Sequence, residues 1–381
     1  MDEDEQGAPG LAEGRGRGLV SLAVKLELVD PYSNDAERTW RDLEVASKPA
    51  YFLTWPWVAN WLACLPRAHA PSLAVVVAAG APLAAFFLAK RTMLRNHVMP
   101  SRSLFLNTTG VERIDQLWIE YNGLVGRDIP IVDLLPLLPG RWDEVFLPAL
   151  HEKALGDVTT ANDSRVMIER TVPACYVDLA KVRAKDYVSV LSGQTRSQVR
   201  RAQREAGKIT VEFAHDAASA LDIYSELTAL HGAQWRARGK PGAFADAWFD
   251  RFHRRLIGQR FAHGEIELVR VHGEHGPIGC LYNFVHAGRV LQYQSGVAHF
   301  ENEKLKPGFI CHAAAIEHAA AKGLDVYDFL GGDHRYKKQL GTDFTTLVWA
   351  RVQQRRVRFF IEDRVRRWRA SHQVSASGDP A

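Results

Sequence analysis

The chain reads as an α/β protein, and three observations predict that class. From Glu303 to Gly341 a loop, a helix and a short apolar strand follow one another and lead into a polar turn. An apolar hairpin signal joined through Gly and Pro occurs twice, far apart. The 381 residues exceed one typical core and suit two domains or one duplicated architecture.

Each element has its own signal. Residues 1–18 are rich in Gly, Asp, Glu and Arg and read as a disordered leader. Leu22, Val24, Leu26 and Leu28 alternate with polar neighbours, which predicts a strand over Ser21–Val29 with one buried face. Asn34 or Asp35 can cap a helix containing Trp40 and Leu43. The aromatic segment Tyr51–Trp61 reads as core, because each Trp buries so much area, with a substrate-cleft lining as the alternative. Leu73–Ala78 and Leu83–Lys90 form the first hairpin through Gly80-Ala81-Pro82; Ile266–His272 and Ile278–Ala287 repeat it through Gly273–Pro277.

Between the hairpins, Glu120 and Asn122 beside Tyr121 read as a polar strand end that could also face a site. Ala154–Asp163 is the expected connection between domains 19–163 and 164–370, with new structure beginning at Tyr176–Leu179 and a tail over 371–381. Tyr187–Arg204 is helical in pattern, with Arg196, Arg200, Arg201 and Arg204 on or near one face; solvated surface is the ordinary reading and a phosphate-contacting face the other. A long helix spans Ala217–Arg238, where His231 sits four residues before Trp235 as a packed histidine, and another spans Ala245–Arg260. A strand follows at Val290–Val297. At the end, Val357, Phe360, Ile361, Val365 and Trp368 share one face amid arginines. That face is expected to dock on the protein's own body, with a membrane surface as the alternative.

Composition narrows the function classes. A formal net charge of +4 is small for this length, so a basic surface would have to be local. Cys64, Cys175, Cys280 and Cys311 are far apart in apolar contexts, as buried reduced thiols are, and nothing groups His, Cys and carboxylates at metal-ligand spacing. The start MDEDEQGAPG lacks the basic and apolar regions of a secretory signal, and no apolar run is long enough for a membrane span; a cytoplasmic protein is expected.

The Glu303–Gly341 stretch concentrates the chemistry. Pro307 and Gly308 mark a helix start, Phe309, Ala313, Ile316 and Ala320 recur at helical spacing, and Gly323 ends it. Val326, Tyr327, Phe329 and Leu330 then make a strand, and the turn after it carries Asp333, His334, Arg335, Tyr336 and Lys337. A helix N-terminus beside a strand end offers N–H groups to an anion and polar side chains to a reacting centre.

In order, HGAQWRARG (231–239), GPIGCLYNF (276–284), VLQYQSG (290–296), KPGF (306–309) and YDFLGGDHRYKKQLG (327–341) resemble the CelD-like group of GNAT-fold acyltransferases, relatives of the FemAB aminoacyl transferases. The Trp57–Trp61 region and WIEYNG at 118–123 are similar to that group too, so the likeness runs from about Ser21 to about Trp368. The resemblance implies two tandem GNAT-like units with mixed sheets flanked by helices. It places an acyl donor, an acyl-CoA and acetyl-CoA first, at Lys304, Lys306, Pro307, Gly308 and Phe309, with backbone N–H groups of Val290–Val297 on the carbonyl oxygen. It makes Tyr336 the acid for the leaving group. Asp333 or His334 is the expected base or substrate anchor, Glu267 a remoter one, and Lys337 a phosphate or carboxylate holder. The acceptor would be a small molecule, sugar or polymer precursor. The chain departs from the usual acetyl-CoA loop, an Arg or Gln followed by spaced glycines, by having Gly308 alone among lysines. An aminoacyl-tRNA donor, or a catalytically silent module in polysaccharide assembly, are the alternatives.

Overall fold

The computed structural model describes residues 24–96, 98–117, 119–155, 164–362 and 364. The expected leader, the tail and most of the expected connection lie outside them.

The first half opens with strand β1 (Val24–Val29), helix α1 (Asn34–Ser47) and helix α2 (Trp55–Cys64). Ser33, rather than Asn34 or Asp35, caps α1, its side chain accepting from the Ala36 N–H. A meander follows: β2 (Ser72–Ala78), β3 (Ala81–Arg95) and β4 (Met99–Leu106). The turn between β2 and β3 takes Ala79 and Gly80 through positive φ, the backbone a two-residue hairpin loop requires. After β5 (Val125–Gly126) and α3 (Ile131–Leu134), β6 (Glu144–His151) lies parallel to β4 over Ser103–Phe105.

The second half repeats that order. After β7 (Ser164–Asp178), α4 (Leu179–Ala184), α5 (Tyr187–Val190) and α6 (Gly193–Glu205) come β8 (Thr210–Phe213), α7 (Ala217–Ala237) and α8 (Ala247–Arg260). The meander is β9 (Ile266–Gly273), β10 (Gly276–His286) and β11 (Arg289–Val297). Helix α9 (Pro307–Ala321) then crosses to β12 (Val326–Gly331), parallel to β11, and α10 (Arg335–Leu340) and β13 (Asp343–Gln354) follow. Both halves thus read strand, two helices, antiparallel meander, helix, parallel strand.

One mixed sheet joins them in the order β1-β2-β3-β4-β6-β13-β7-β12-β11-β10-β9-β8, with β5 against β3. Folded about the β13/β7 seam, this order matches each strand of one half with its counterpart in the other. The seam crosses the chain: β13 pairs with β6 of the first half, and β7, which follows the first half in sequence, pairs with β12. A shared core seals the arrangement. Trp40, Trp57 and Trp61 from α1 and α2 pack with Tyr224, Phe249 and Phe252 from α7 and α8, and Trp248 donates its indole N–H to the Cys64 carbonyl at 2.7 Å.

Several expectations need correction. Leu28 is half exposed, because β1 is an edge strand, and Val29 instead packs on the core. Strand β7 starts at Ser164, twelve residues before Tyr176, and β13 is a strand where none was expected. The Tyr187–Arg204 helix is broken at Leu191-Ser192, where Ser192 caps a fresh start. The polar turn after β12 closes into α10, with Asp333 and His334 just ahead of it. In the last helix, residues 357–362, Phe359 is the side chain that docks, and Val357, Phe360 and Ile361 face outward.

Candidate active site

Strands β11 and β12 are paired only over Arg289–Leu291 and Val326–Asp328. Beyond that, β11 continues to Val297 on β10 alone, with a bulge where Tyr282–Asn283 faces Gln292–Gln294; bulges re-aim strands and recur beside active sites. Strand β12 turns the other way, toward β7, through its own irregularity between Asp328 and Gly331. A wedge opens between the two strands, edged on the β11 side by backbone from Gln292 onward.

Helix α9 starts nearby. Pro307 occupies its first turn, where no N–H is needed, and the Phe309 N–H is taken by the Lys306 carbonyl at 3.0 Å, so the first free amide is that of Gly308. Lys306 caps the helix with φ 35°, a costly left-handed conformation for a lysine. Its ammonium reaches Gln198 on α6 at 3.0 Å and lies 5.2 Å from the Phe309 ring. Gly308 is informative because the fold does not demand a glycine there. Its φ is not positive, and a Cβ added to it would meet nothing within 4 Å.

Tyr336 lies one helical turn from that opening. Gly308 and His312 are four apart on α9, and the His312 ring stacks on the Tyr336 ring at 5.6 Å and 12°. His312 is fixed in turn by its Nδ1, 3.1 Å from the Tyr327 hydroxyl, and burial pushes its pKa down to about 3, so it is neutral. Burial pushes the Tyr336 phenol up to about 12. The phenol is therefore protonated at neutral pH. No local signal marks His312 as the partner of Tyr336, a contact that forms only when α10 packs on α9; its place four residues after Gly308 is the one readable hint.

The other expected residues separate. Asp333 is exposed and paired with Lys338, which holds its carboxyl below the usual range. His334 stacks on the outer side of the turn against Tyr336 at 6.0 Å. Lys304 is exposed, and Phe309 is buried in the core on which Tyr336 also packs. Glu267 is distant, near the other end of α9: Lys322 donates to it at 3.3 Å, as does Asn283. The distance from Gly308 to Lys322 along the helix is about 20 Å.

Lys337 does not face a donor. Its buried ammonium donates to the carbonyls of Phe329 (2.6 Å), Leu330 (3.2 Å) and Gly331 (2.8 Å), which uses all three of its N–H bonds. It clamps the bend of β12, where Leu330 is held at φ 59°. The first unit supports the same bend. Glu120 accepts from the Gly331 N–H, and Asp328 accepts from the Tyr121 hydroxyl and from Arg289, both at 2.7 Å, and from the Leu330 N–H at 2.8 Å. Burial drives both members of the Glu120 and Lys337 pair toward neutrality. The Glu120 carboxyl rises to about 7 and the Lys337 ammonium falls. Asn122, by contrast, stays inside the first unit, bonded to the Leu106 and Pro148 carbonyls.

A polar cleft of about 420 Å³ lies between Ser192–Thr195 at the start of α6 and Lys338–Thr342. It shares Lys338 and Gln339 with α10, but neither the α9 bend nor Tyr336 lines it. All four cysteines are buried and free, and burial raises the Cys311 thiol to about 12, so none is a poised nucleophile. Among the described residues no group of three or more His, Cys, Asp or Glu is placed to hold a metal.

Comparison with known proteins adds the following. Residues 193–338, from α6 to α10, match the family described as an acetyltransferase (GNAT) domain. The crystal structure of FemX superposes with a TM-score of 0.52 at 11% identity, covering 83% of this chain and 96% of that one. A tandem GNAT protein from the clavulanic acid biosynthesis pathway gives 0.46 at 12% identity, with 87% and 98% covered. L-PGS from Bacillus licheniformis gives 0.43 at 10%, with 72% and 82% covered. No curated protein matches the chain in sequence. The fold is two GNAT-like α/β units side by side, with the matched segment in the second.

Proposed function

We propose that the chain moves an acyl group from an activated carrier to an amine or hydroxyl of a small molecule, sugar or polymer precursor. Residues 164–370 hold the donor, and residues 19–163 buttress them. The observation that carries this reading is the wedge between β11 and β12 opening beside the amide end of α9, with Tyr336 stacked one turn away. The match of residues 193–338 to a GNAT acetyltransferase domain supports it.

Each part has a physical task. The donor's phosphates lie at Lys306 and the Gly308 amide, and its acyl arm runs into the wedge. Backbone N–H groups of β11 past Leu291 hold the carbonyl oxygen as it gains charge. The nucleophile attacks the carbonyl carbon and gives its proton to a base. The bond from that carbon to the leaving sulfur or oxygen breaks, and Tyr336 gives its proton to the leaving atom. No covalent enzyme intermediate is needed. Asp333 and His334 remain the proposed anchors at the mouth, and Lys304 adds positive charge there. Acyl-CoA, acetyl-CoA first, is the proposed donor. Within the GNAT-like fold, the CelD-like assignment rests on the ordered sequence blocks, and a cytoplasmic location is proposed with it.

A second reading takes the acyl group from an aminoacyl-tRNA. The exposed Arg200, Arg201 and Arg204 on α6 favour it, since Lys306 ties the α9 bend to that same helix through Gln198. Arg196 does not contribute, because its guanidinium is bonded to the Ser189 and Leu191 carbonyls.

Thermal melting with a panel of CoA esters and with charged tRNA separates the two. A shift with CoA esters supports the first; binding of charged tRNA that weakens steeply with salt supports the second. Under either, Tyr336→Phe should lower turnover by about a hundredfold or more without weakening donor binding. Unchanged turnover in both Tyr336→Phe and Asp333→Ala would remove these site assignments.

A further inference from the structure

The last helix of the described chain presents its apolar side to the outside. Phe359 is 5% exposed, whereas Val357, Phe360 and Ile361 are 77%, 61% and 56% exposed. Val357 and Ile361 are four apart, so they share the face opposite Phe359, and Arg364 lies on that side with its guanidinium 5.8 Å from the Phe360 ring. An exposed patch of this kind normally marks a contact.

The helix is held in this orientation. Arg95, at the end of β3, donates to Glu144 at 2.6 Å and to both oxygens of Glu362 at 2.9 Å, and Asn96 donates to Glu362 at 3.1 Å. Arg358 donates to the Pro100 carbonyl at 2.8 Å and pairs with Asp143 at 2.5 Å. These bonds bring the tip of the β3–β4 hairpin to the same end of the molecule, and there Leu94 and Val98 are exposed as well. Leu94 alternates with Arg95 along β3, so its side chain points to the sheet face opposite the helix, and the outward apolar face is that of the helix itself.

Charge at that end identifies the occupant. Among the described residues, Arg355, Arg356, Arg358 and Arg364 lie on this helix and its lead-in against one acid, Glu362, a net +3. Glu362 is taken by Arg95 and Asn96, and Arg356 and Arg358 pair with Asp143, which leaves Arg355 and Arg364 for an outside anion. We propose that this end, Val357, Phe360 and Ile361 with Arg355 and Arg364 near them, docks on an anionic membrane surface. The apolar side chains enter the headgroup boundary and the arginines meet lipid phosphates. RNA would satisfy the arginines but leave the three apolar side chains in water. The candidate active site is at the other end of β13: from Gln354 to Asp343 the strand spans about 37 Å. Docking here would leave that wedge about 37 Å along the strand from the surface contact.

Co-sedimentation of the full chain with vesicles tests this, using phosphatidylcholine alone and an equal mixture with phosphatidylglycerol. The chain should bind the mixed vesicles and not the neutral ones, with binding falling as salt rises. Phe360→Ser/Ile361→Ser removes apolar surface without adding charge and should weaken binding at least about tenfold. Phe360→Glu/Ile361→Glu should abolish it, and both variants should keep the parent melting temperature because these side chains are exposed. Absence of binding to mixed vesicles, binding unaltered by the double variants, or binding to RNA but not vesicles would each overturn the proposal.

Discussion

Replacing Lys337 by methionine tests how the bend of β12 is held. Methionine has nearly the same length and fills the same space, so the change removes the charge and three donors and little else. It strands the carbonyls of Phe329, Leu330 and Gly331 and removes the buried cation near Glu120, while Asp328 keeps Arg289. Removing one partner of a buried charge pair costs about 3–5 kcal/mol, and the three stranded acceptors place this case in the upper part of that range. Urea unfolding followed by tryptophan fluorescence measures it. Glu120→Gln in the same background neutralises the stranded carboxylate and should recover about 1–3 kcal/mol as a coupling term. If Lys337→Met costs under about 1 kcal/mol, or if the double variant loses the sum of the single losses, the clamp is not what holds the bend.

Other consequences follow from the same burial. Glu120 has its carboxyl raised from an ordinary 4.5 to about 7, so the folded state favours the protonated form. The stability this gives is complete below pH 4.5 and is lost as pH rises through 7, about 3 kcal/mol in all, and Glu120→Gln should flatten that limb of a stability-against-pH curve. His253 acts in the opposite sense. Its fully buried ring is held near 3 from an ordinary 6.5, so its contribution is complete above pH 6.5 and lost as pH falls toward 3. His253→Phe should reduce the acid slope by about 1.4 kcal/mol per pH unit, read from urea midpoints at several pH values.

The sequence made local structure legible and left most long-range structure out of reach. Helices α7, α8 and α9 follow apolar residues at helical spacing, and the Pro307 start and Gly323 stop stand where capping chemistry puts them. The two hairpins were readable from alternation and turn residues. Strand β13 and the first part of β7 were not, because each alternates weakly and is fixed by the other across some 170 residues of chain. The same limit applies to the site. Lys337 looked like a ligand-holding lysine in a polar turn; only the closing of α10 over β12 turns its ammonium onto carbonyls. Glu120 and Tyr121 looked like a polar strand end, and their contacts with Gly331 and Asp328 exist only when the two units meet. Phe359 and Phe360 are neighbours in a basic stretch, and nothing local says which one is buried.

The central claim is that an activated acyl carrier sits at the start of α9, beside Tyr336. Gly308 provides the most direct measurement, since the fold leaves open space where its side chain would be and a substitution there should not disturb packing. Binding of acetyl-CoA, longer acyl-CoAs and aminoacyl-tRNA is to be measured by thermal shift for the parent chain and for Gly308→Val. The account predicts that at least one donor stabilises the parent, and that Gly308→Val melts unliganded at nearly the parent temperature but loses that stabilisation. Equal stabilisation of both proteins by the donor, or no stabilisation of the parent by any donor, would contradict it.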